Sequence, residues 1–177
     1  MGQYYKGVII RDNEKQVYET IINGEWEGCK LMEHSRFNND YVNAIMFMLK
    51  NAPAKVAWVG DYADNAENYW NEPAIETLTA KDFNSLVLYL VNHSKKEYIV
   101  LNMYYIDNAR ASNSYWVIHP LPLLTAVGNG RGGGDYRGIN QELVGSWAFD
   151  TIELMEWDKW KSIKNDYNEL RVIFKEG

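Results

Sequence analysis

Strand-like and helix-like segments follow one another in this chain without regular β–α–β alternation, and this order is the feature that most restricts its fold. A doubly wound parallel sheet requires that alternation. Here several strand-like segments precede the first helix-like segment, and several more follow the second. The order therefore predicts an α+β protein with a mainly antiparallel sheet and two main helices packed on one face.

Apolar residues at helical spacing predict the two main helices. The first covers residues 38–51, with Asn38 or Asn39 as its N-cap and Pro53 after its end. The second covers residues 79–94 and has Thr79 as its cap. A short third helix is predicted over residues 156–163.

Runs rich in Val, Ile, Tyr and Thr predict the strands. Polar residues 11–16 predict a hairpin between the first two strands, and residues 107–113 predict a hairpin loop later in the chain. Residues 62–77 are predicted to be a loop, and the two prolines in 120–126 favour an edge strand or a loop there. The predicted strands cover residues 4–10, 17–22, 29–35, 55–61, 97–106, 114–119, 146–154 and 169–174.

The size and charge of the chain favour one globular domain over residues 1–177. Of its 177 residues, 46% are hydrophobic and 24% are charged, which is close to the globular average.

The net charge of −6 disfavours general nucleic-acid binding, because DNA and RNA backbones attract cations. No apolar run approaches the ~18 residues of a membrane helix, so no membrane partner is expected. Cys29 is the only cysteine, which fits a reducing, cytoplasmic setting.

The glycine-rich stretch "AVGNGRGGGDYRG", residues 126–138, is the first candidate site. Gly128, Gly130 and Gly133 match the spacing GxGxxG, but the residues after them do not predict the helix that a dinucleotide fingerprint needs. The loop can still bind an anion, because successive glycines let backbone N–H groups converge. The candidate backbone positions are Gly128, Gly130, Gly132, Gly133 and Gly134.

Side chains of the same loop extend this hypothesis to a nucleotide-like ligand. Arg131 and Arg137 can clamp a phosphate or carboxylate through paired hydrogen bonds. Asp135 can accept a hydrogen bond from a ribose hydroxyl or a base amine, and Tyr136 can stack on a base. The alternative is a flexible hairpin tip whose charged residues keep it soluble.

Two residues outside the loop complete the candidate ligand-binding set. His119 precedes Pro120 and lies shortly before the glycine loop, so it can face the same pocket. Asp61 ends a predicted strand in "WVGDYAD", where Asp64 follows. For each residue the alternative is a structural role. The pattern contains neither a metal-ligand motif nor a nucleophile motif, so we expect no metal, no cofactor and no catalytic set.

Several stretches resemble a family of small uncharacterised proteins of phages and their bacterial hosts. They are the start "MGQYYK", the segments "KLMEHS" and "WVGDYAD", and "HPLPLLTAVGNGRGGGDY". The resemblance covers most of the chain and implies a phage-related protein in the cytoplasm of a bacterial host. It implies no activity and no functional residues.

These observations favour a non-catalytic protein that captures a small nucleotide-like anion, such as an immune signalling nucleotide. One alternative is a protein-interaction module that acts on a host protein. A second alternative is a nucleotide or phosphoester hydrolase with His119, Asp61 and Asp135 as acid–base groups. The sequence leaves a homo-oligomer open.

Overall fold

The strands of the protein form one sheet through the part of the chain that the structure describes. The structure is a computed structural model that describes residues 2–11, 14–18, 29–37, 39–64, 66, 87–112, 116–130 and 132–177. Its strands are β1 (Tyr5–Arg11), β2 (Glu14–Tyr18), β3 (Ala54–Gly60), β4 (Leu88–Asn92), β5 (Glu97–Val100), β6 (Ala126–Val127), β7 (Thr151–Glu156) and β8 (Asn168–Glu169).

The sheet order is β2-β1-β3-β7-β4-β5-β8, with β6 paired to β3. All neighbours in this order are antiparallel except β5 and β8, and β6 is parallel to β3. The predicted α+β class with a mainly antiparallel sheet is therefore confirmed. The hairpin of β1 and β2 is confirmed as well, with Arg11 opposite Glu14.

The helices in the described residues differ in part from the predicted ones. They are α1 (Leu31–His34), α2 (Asp40–Asn51), α3 (Leu101–Ser112), α4 (Pro120–Leu124) and α5 (Trp157–Trp160). Short 3₁₀ turns cover Gln141–Leu143 and Lys164–Asp166. None of the helices in the described ranges is long and apolar enough to cross a membrane.

Helix α2 begins where its sequence predicts. The Asn39 side chain accepts hydrogen bonds from the backbone nitrogens of Tyr41 and Val42, at 2.9 and 3.2 Å. These bonds satisfy N–H groups that have no partner inside the helix. The predicted helix and one of its two predicted caps are thus confirmed.

Both longer helices, α2 and α3, pack on the same face of the sheet. Their buried residues join one large core with alternate residues of the strands, which point to that face. Residues between them in sequence point to the other face, where two smaller clusters lie. Helix α5 covers that second face through Trp160, which is 1% exposed. The large core includes Ile9, Val42, Ile45, Leu49, Val56, Trp58, Leu90, Leu101, Tyr104 and Leu154.

The second predicted main helix is wrong within the described residues. Residues 88–92 form the strand β4, and residues 79–86 lie outside the described part of the chain. Leu88 and Leu90 enter the large core, whereas Tyr89 and Val91 enter the cluster on the opposite face. A strand buried on both faces reads as a continuous apolar run, which periodicity does not separate from a helix.

The second long helix is instead α3, where a strand and a hairpin loop were predicted. Strand β5 ends at Val100, and the chain turns into helix at Leu101. Only Leu101, Tyr104 and Asn108 of this helix are buried. The exposed Tyr105 and Ile106 favour strand by composition, but packing outweighs that preference.

Four smaller predictions need correction. The predicted strand 29–35 contains the one-turn helix α1, and the chain around Val117 and Ile118 has no regular structure. The proline-rich segment forms α4, because proline fits the first turn of a helix. Of the predicted strand 169–174, only Glu169 belongs to a strand, which is β8. The predicted loop 62–77 lies mostly outside the described residues.

Candidate functional site

The glycine loop packs against the N-terminal end of the chain rather than standing free. Gly133 pairs with Gly2 in an isolated parallel bridge. The carbonyl oxygen of Gly134 accepts a hydrogen bond from the backbone nitrogen of Met32 at 3.3 Å. A Cβ on Gly132 would lie 2.3 Å from Cβ of Gln3, so this position requires glycine. Part of the glycine content therefore serves close packing.

A buried hydrogen-bond network holds the loop in place. Tyr5 donates its hydroxyl hydrogen to Oδ1 of Asp135 at 2.8 Å, and Oδ2 of Asp135 accepts from the backbone nitrogen of Gly132 at 3.0 Å. The Gln3 amide satisfies its neighbours when its nitrogen donates to the Tyr5 hydroxyl at 3.1 Å. Its oxygen then accepts from the backbone nitrogens of Tyr62 and Ala63 at 3.1 and 3.3 Å.

The environment of Tyr5 keeps its phenol protonated. Burial raises the pKa of Tyr5 far above its usual value, and the hydrogen bond to Asp135 raises the pKa further. Loss of the proton would place a phenolate beside a carboxylate in a poorly solvated site. Tyr5 is therefore a fixed hydrogen-bond donor to Asp135.

A cavity of about 230 Å³ lies beside this network. Five candidate residues line it: Gly128, Gly130, Asp135, Tyr136 and Arg137. The remaining lining residues are Tyr5, Leu31, Ala126, Gln141 and Val144. The structure thus brings residues from both ends of the glycine loop to the cavity wall, including a carboxylate and a guanidinium.

The lining side chains differ in how far they are free to bind a ligand. The Arg137 side chain is exposed and has no hydrogen bond or ion pair within the described residues. Tyr136 is 3% exposed, and its hydroxyl contacts backbone atoms of Ile139 and Lys175. Its ring packs edge-on against Phe174, at a centroid distance of 5.4 Å. Tyr136 therefore shapes the wall, and Arg137 offers a cation. Arg131 lies outside the described residues.

Asp61 lies near the loop but does not line the cavity. Its carboxylate accepts a hydrogen bond from the backbone nitrogen of Tyr4 at 3.1 Å, and its own nitrogen donates to the Tyr4 carbonyl at 2.9 Å. These bonds fix the turn after β3. Gln3 connects this turn to the glycine loop. Its oxygen accepts hydrogen bonds from the turn, and its nitrogen donates to Tyr5, which is bonded to Asp135.

His119 is a buried capping residue and does not line the cavity. Its Nδ1 accepts a hydrogen bond from the backbone nitrogen of Leu121 at 3.1 Å, which caps helix α4. Its ring packs on Phe37 at a centroid distance of 4.6 Å. Burial lowers the pKa of His119 to about 3. The side chain is therefore neutral at physiological pH and serves the fold.

Sequence reasoning missed Gln3, Tyr5 and Gln141. Tyr5 alternates with other apolar residues on a strand, so its pattern is that of an ordinary core residue. Only the approach of the glycine loop, 130 residues later, gives its hydroxyl a partner. No pattern in the neighbouring sequence predicts such a contact.

A second and larger cavity, of about 540 Å³, lies between α3 and the segment that follows β8. Its lining includes Met103, Arg110, Leu170 and Arg171. Sequence reasoning missed this groove because residues 101–106 were predicted to be strand. The described residues hold no group of three His, Cys, Asp or Glu side chains arranged to bind a metal.

No protein-family model, curated protein or solved structure matches this chain.

Proposed function

We propose that the protein binds a small anionic, nucleotide-like ligand at the cavity beside the glycine loop. The observation that supports this proposal is the shared lining by Gly128, Gly130, Asp135 and Arg137. Arg137 supplies a cation for a phosphate, and Asp135 supplies an acceptor for a ribose hydroxyl or a base amine. A ligand with both an anionic group and a hydroxyl or amine uses both side chains.

The size of the cavity limits how the ligand sits. Ligand pockets commonly measure about 300–1,000 Å³. At about 230 Å³, this cavity holds one moiety of a nucleotide, such as its sugar. The phosphate then lies at the open side, where Gly130 and Arg137 are exposed.

Capture without turnover suits this site better than hydrolysis. The proposed hydrolase needs a general base that reaches the ligand. His119 caps a buried helix instead, and Asp61 is bonded to the Tyr4 backbone. Asp135 lines the cavity, but its two oxygens already accept hydrogen bonds from Tyr5 and Gly132. Sequestration of a signalling nucleotide by a phage-related protein in a bacterial cytoplasm is one setting for such capture.

A thermal-shift screen with mono-, di- and cyclic nucleotides and inorganic phosphate tests the proposal, together with mass spectrometry of ligand released by heat. We expect one nucleotide class to raise Tm. Arg137→Gln should weaken its binding about 10- to 100-fold, because a charge-assisted hydrogen bond contributes about 1.5–3 kcal/mol.

The matched control is Lys55→Gln, which removes the same charge from an exposed position. Lys55 lies near the end of β3 that is farther from the glycine loop. If no nucleotide raises Tm, or if both variants bind it equally, the proposal is wrong.

A protein-interaction module is the second candidate, and the exposed side of α3 favours it. Met103, Tyr105 and Ile106 are 52%, 37% and 40% exposed, and Trp116 is 49% exposed. Met103 and Ile106 are three residues apart and lie on one side of the helix. Exposed apolar groups that lie together are typical of protein-binding surfaces. A pull-down from host lysate that loses its partner with Met103→Lys, and keeps it with Arg137→Gln, would favour this candidate.

A further inference from the structure

A chain of hydrogen-bonded polar side chains lies on the face of the sheet opposite α2 and α3. Nδ1 of His93 is 2.6 Å from the hydroxyl of Tyr167, and Nε2 of His93 is 2.8 Å from Oε2 of Glu153. Nζ of Lys96 is 3.3 Å from the same Tyr167 hydroxyl. Lys159 pairs with the other oxygen of Glu153. This Tyr–His–Glu cluster shares no residue with the glycine-loop cavity.

The partners of the imidazole determine where its proton lies. Glu153 carries two contacts from basic groups and acts as a carboxylate acceptor, so Nε2 of His93 donates to it. Nδ1 then carries a lone pair, and the Tyr167 hydroxyl donates to it. A proton that leaves Tyr167 can pass directly to Nδ1, while Glu153 stabilises the imidazolium that forms.

Packing alone does not explain the cluster. Glu153 is 3% exposed, and the buried residues on this face are otherwise apolar: Tyr89, Val91, Met155 and Trp160. Burying a carboxylate has a desolvation cost that an apolar side chain at this position would not have, and the partners of Glu153, His93 and Lys159, are 24% and 60% exposed.

The backbone of Lys96 adds a second free-energy cost to that of burying Glu153, because its φ of 58° lies in the left-handed region that favours glycine. The chain accepts this conformation in the turn after β4. There the Lys96 ammonium lies 4.8 Å from the centre of the Tyr167 ring. Lys96 thus contacts Tyr167 directly, and the buried Glu153 is connected to Tyr167 through His93.

We propose that Tyr167 is a nucleophile for phosphate esters, with His93 as its base. In the step, the Tyr167 oxygen forms a bond to phosphorus, and the bond from phosphorus to the leaving group breaks. The phenolic proton moves to Nδ1 of His93, and the leaving group departs with the electron pair of the broken bond. The imidazolium then gives the proton to the leaving group or to water.

The roles of the remaining residues follow from their contacts. Lys96 donates to the attacking oxygen and can also reach a phosphoryl oxygen, on which negative charge grows during attack. This ammonium also attracts the negative charge that most phosphate esters carry and that neutral carbonyl compounds lack. Glu153 acts through His93 and is a positioning residue. Tyr167 is partly exposed, and the proposed step requires that a substrate reach its oxygen from the solvent side.

Labelling with diethyl 4-nitrophenyl phosphate tests the proposal on the full chain. We expect one equivalent of 4-nitrophenolate and a diethylphosphoryl adduct on Tyr167, located by peptide mass spectrometry. Tyr105, an exposed tyrosine on α3, is the internal control. Assistance by a general base should make Tyr167 react about 100-fold faster than Tyr105.

The variants separate a reactive site from a structural one. Tyr167→Phe should abolish the fast release, and His93→Gln should lower its rate about 100-fold while Tyr105 labelling stays unchanged. Lys96→Gln leaves Glu153 paired, so it tests the ammonium even if His93→Gln fails to fold by circular dichroism. Equal labelling of Tyr167 and Tyr105 in the native protein would overturn the proposal. So would an unchanged Tyr167 rate in a folded Lys96→Gln variant.

Discussion

The hydroxyl of Tyr5 lies 2.8 Å from Oδ1 of Asp135, and this contact joins the first strand to the glycine loop across 130 positions of sequence. Asp135 in turn accepts from the backbone nitrogen of Gly132. One buried phenol therefore fixes the Asp135 carboxylate, which lines the proposed ligand cavity, and through it the loop backbone at Gly132. The loop is held in shape before any ligand arrives, which lowers the entropy cost of binding.

Alkaline pH should destabilise the protein partly through Tyr5. The pKa of Tyr5 is raised above its ordinary value of 10.0 by burial and by Asp135. The unfolded chain releases this proton above pH 10 and the folded chain retains it, so stability falls as pH rises by about 1.4 kcal/mol per unit for this group. Urea unfolding between pH 9 and 11 measures the slope. Tyr5→Phe should make the slope shallower, and an unchanged slope would contradict this account.

Acid should destabilise the protein partly through His119. Burial lowers the pKa of His119 to about 3, from an ordinary value of 6.5. The unfolded state binds a proton below pH 6.5 and the folded state does not. Stability is therefore full above that pH and falls by about 2–3 kcal/mol between pH 6.5 and 4.5 from this group. His119→Asn keeps a capping oxygen, and its unfolding free energy should change less over the same interval.

Two glycines of the loop should respond differently to substitution. A Cβ at position 132 would lie 2.3 Å from Cβ of Gln3 and 3.0 Å from its backbone nitrogen, so Gly132→Ala should cost about 2–3 kcal/mol. Gly130 has a φ of +67° with open space around it, and asparagine tolerates that conformation. Gly130→Asn should cost less than about 1 kcal/mol. Equal losses in urea unfolding would show that the loop does not pack on Gln3.

Asn108 should anchor the C-terminal segment to α3. Its side-chain oxygen accepts from the backbone nitrogen of Phe174 at 2.8 Å, and its nitrogen donates to the carbonyls of Tyr104 and Val172 at 2.9 and 3.3 Å. Asn108→Ala leaves buried backbone groups unpaired and should cost about 2–3 kcal/mol. Faster hydrogen exchange at Phe174 is the local readout. Arg110→Ala, exposed on the same helix, is the control and should change stability by less than about 0.5 kcal/mol.

Local signals predicted the elements whose stabilising contacts lie close in sequence. Helix α2 has its cap at Asn39 and an apolar stripe within one segment, so neighbouring residues specify both its start and its buried face. The hairpin of β1 and β2 and the short helix α5 are similar cases. The paired residues of the hairpin lie between 3 positions (Arg11 and Glu14) and 11 positions (Gly7 and Tyr18) apart.

The predictions failed where burial on two sides or a distant partner decided the outcome. Residues 88–92 are a strand because β5 and β7 pair with them on either side, and both faces of the strand are covered. Residues 101–112 are a helix although exposed Tyr105 and Ile106 favour strand. In both cases tertiary packing outweighs a weak local preference.

The sequence by itself determined the α+β class, the mainly antiparallel sheet, helix α2 with its cap, and the position of the glycine-rich loop. Only the tertiary structure decided which loop residues share a cavity, and that His119 caps a helix outside it. The tertiary structure also brought His93, Glu153 and Tyr167 together from a turn, a strand and a later loop. The physical reason is range, because capping and periodicity act within a few residues, whereas these side chains meet across 60 and 74 positions of sequence.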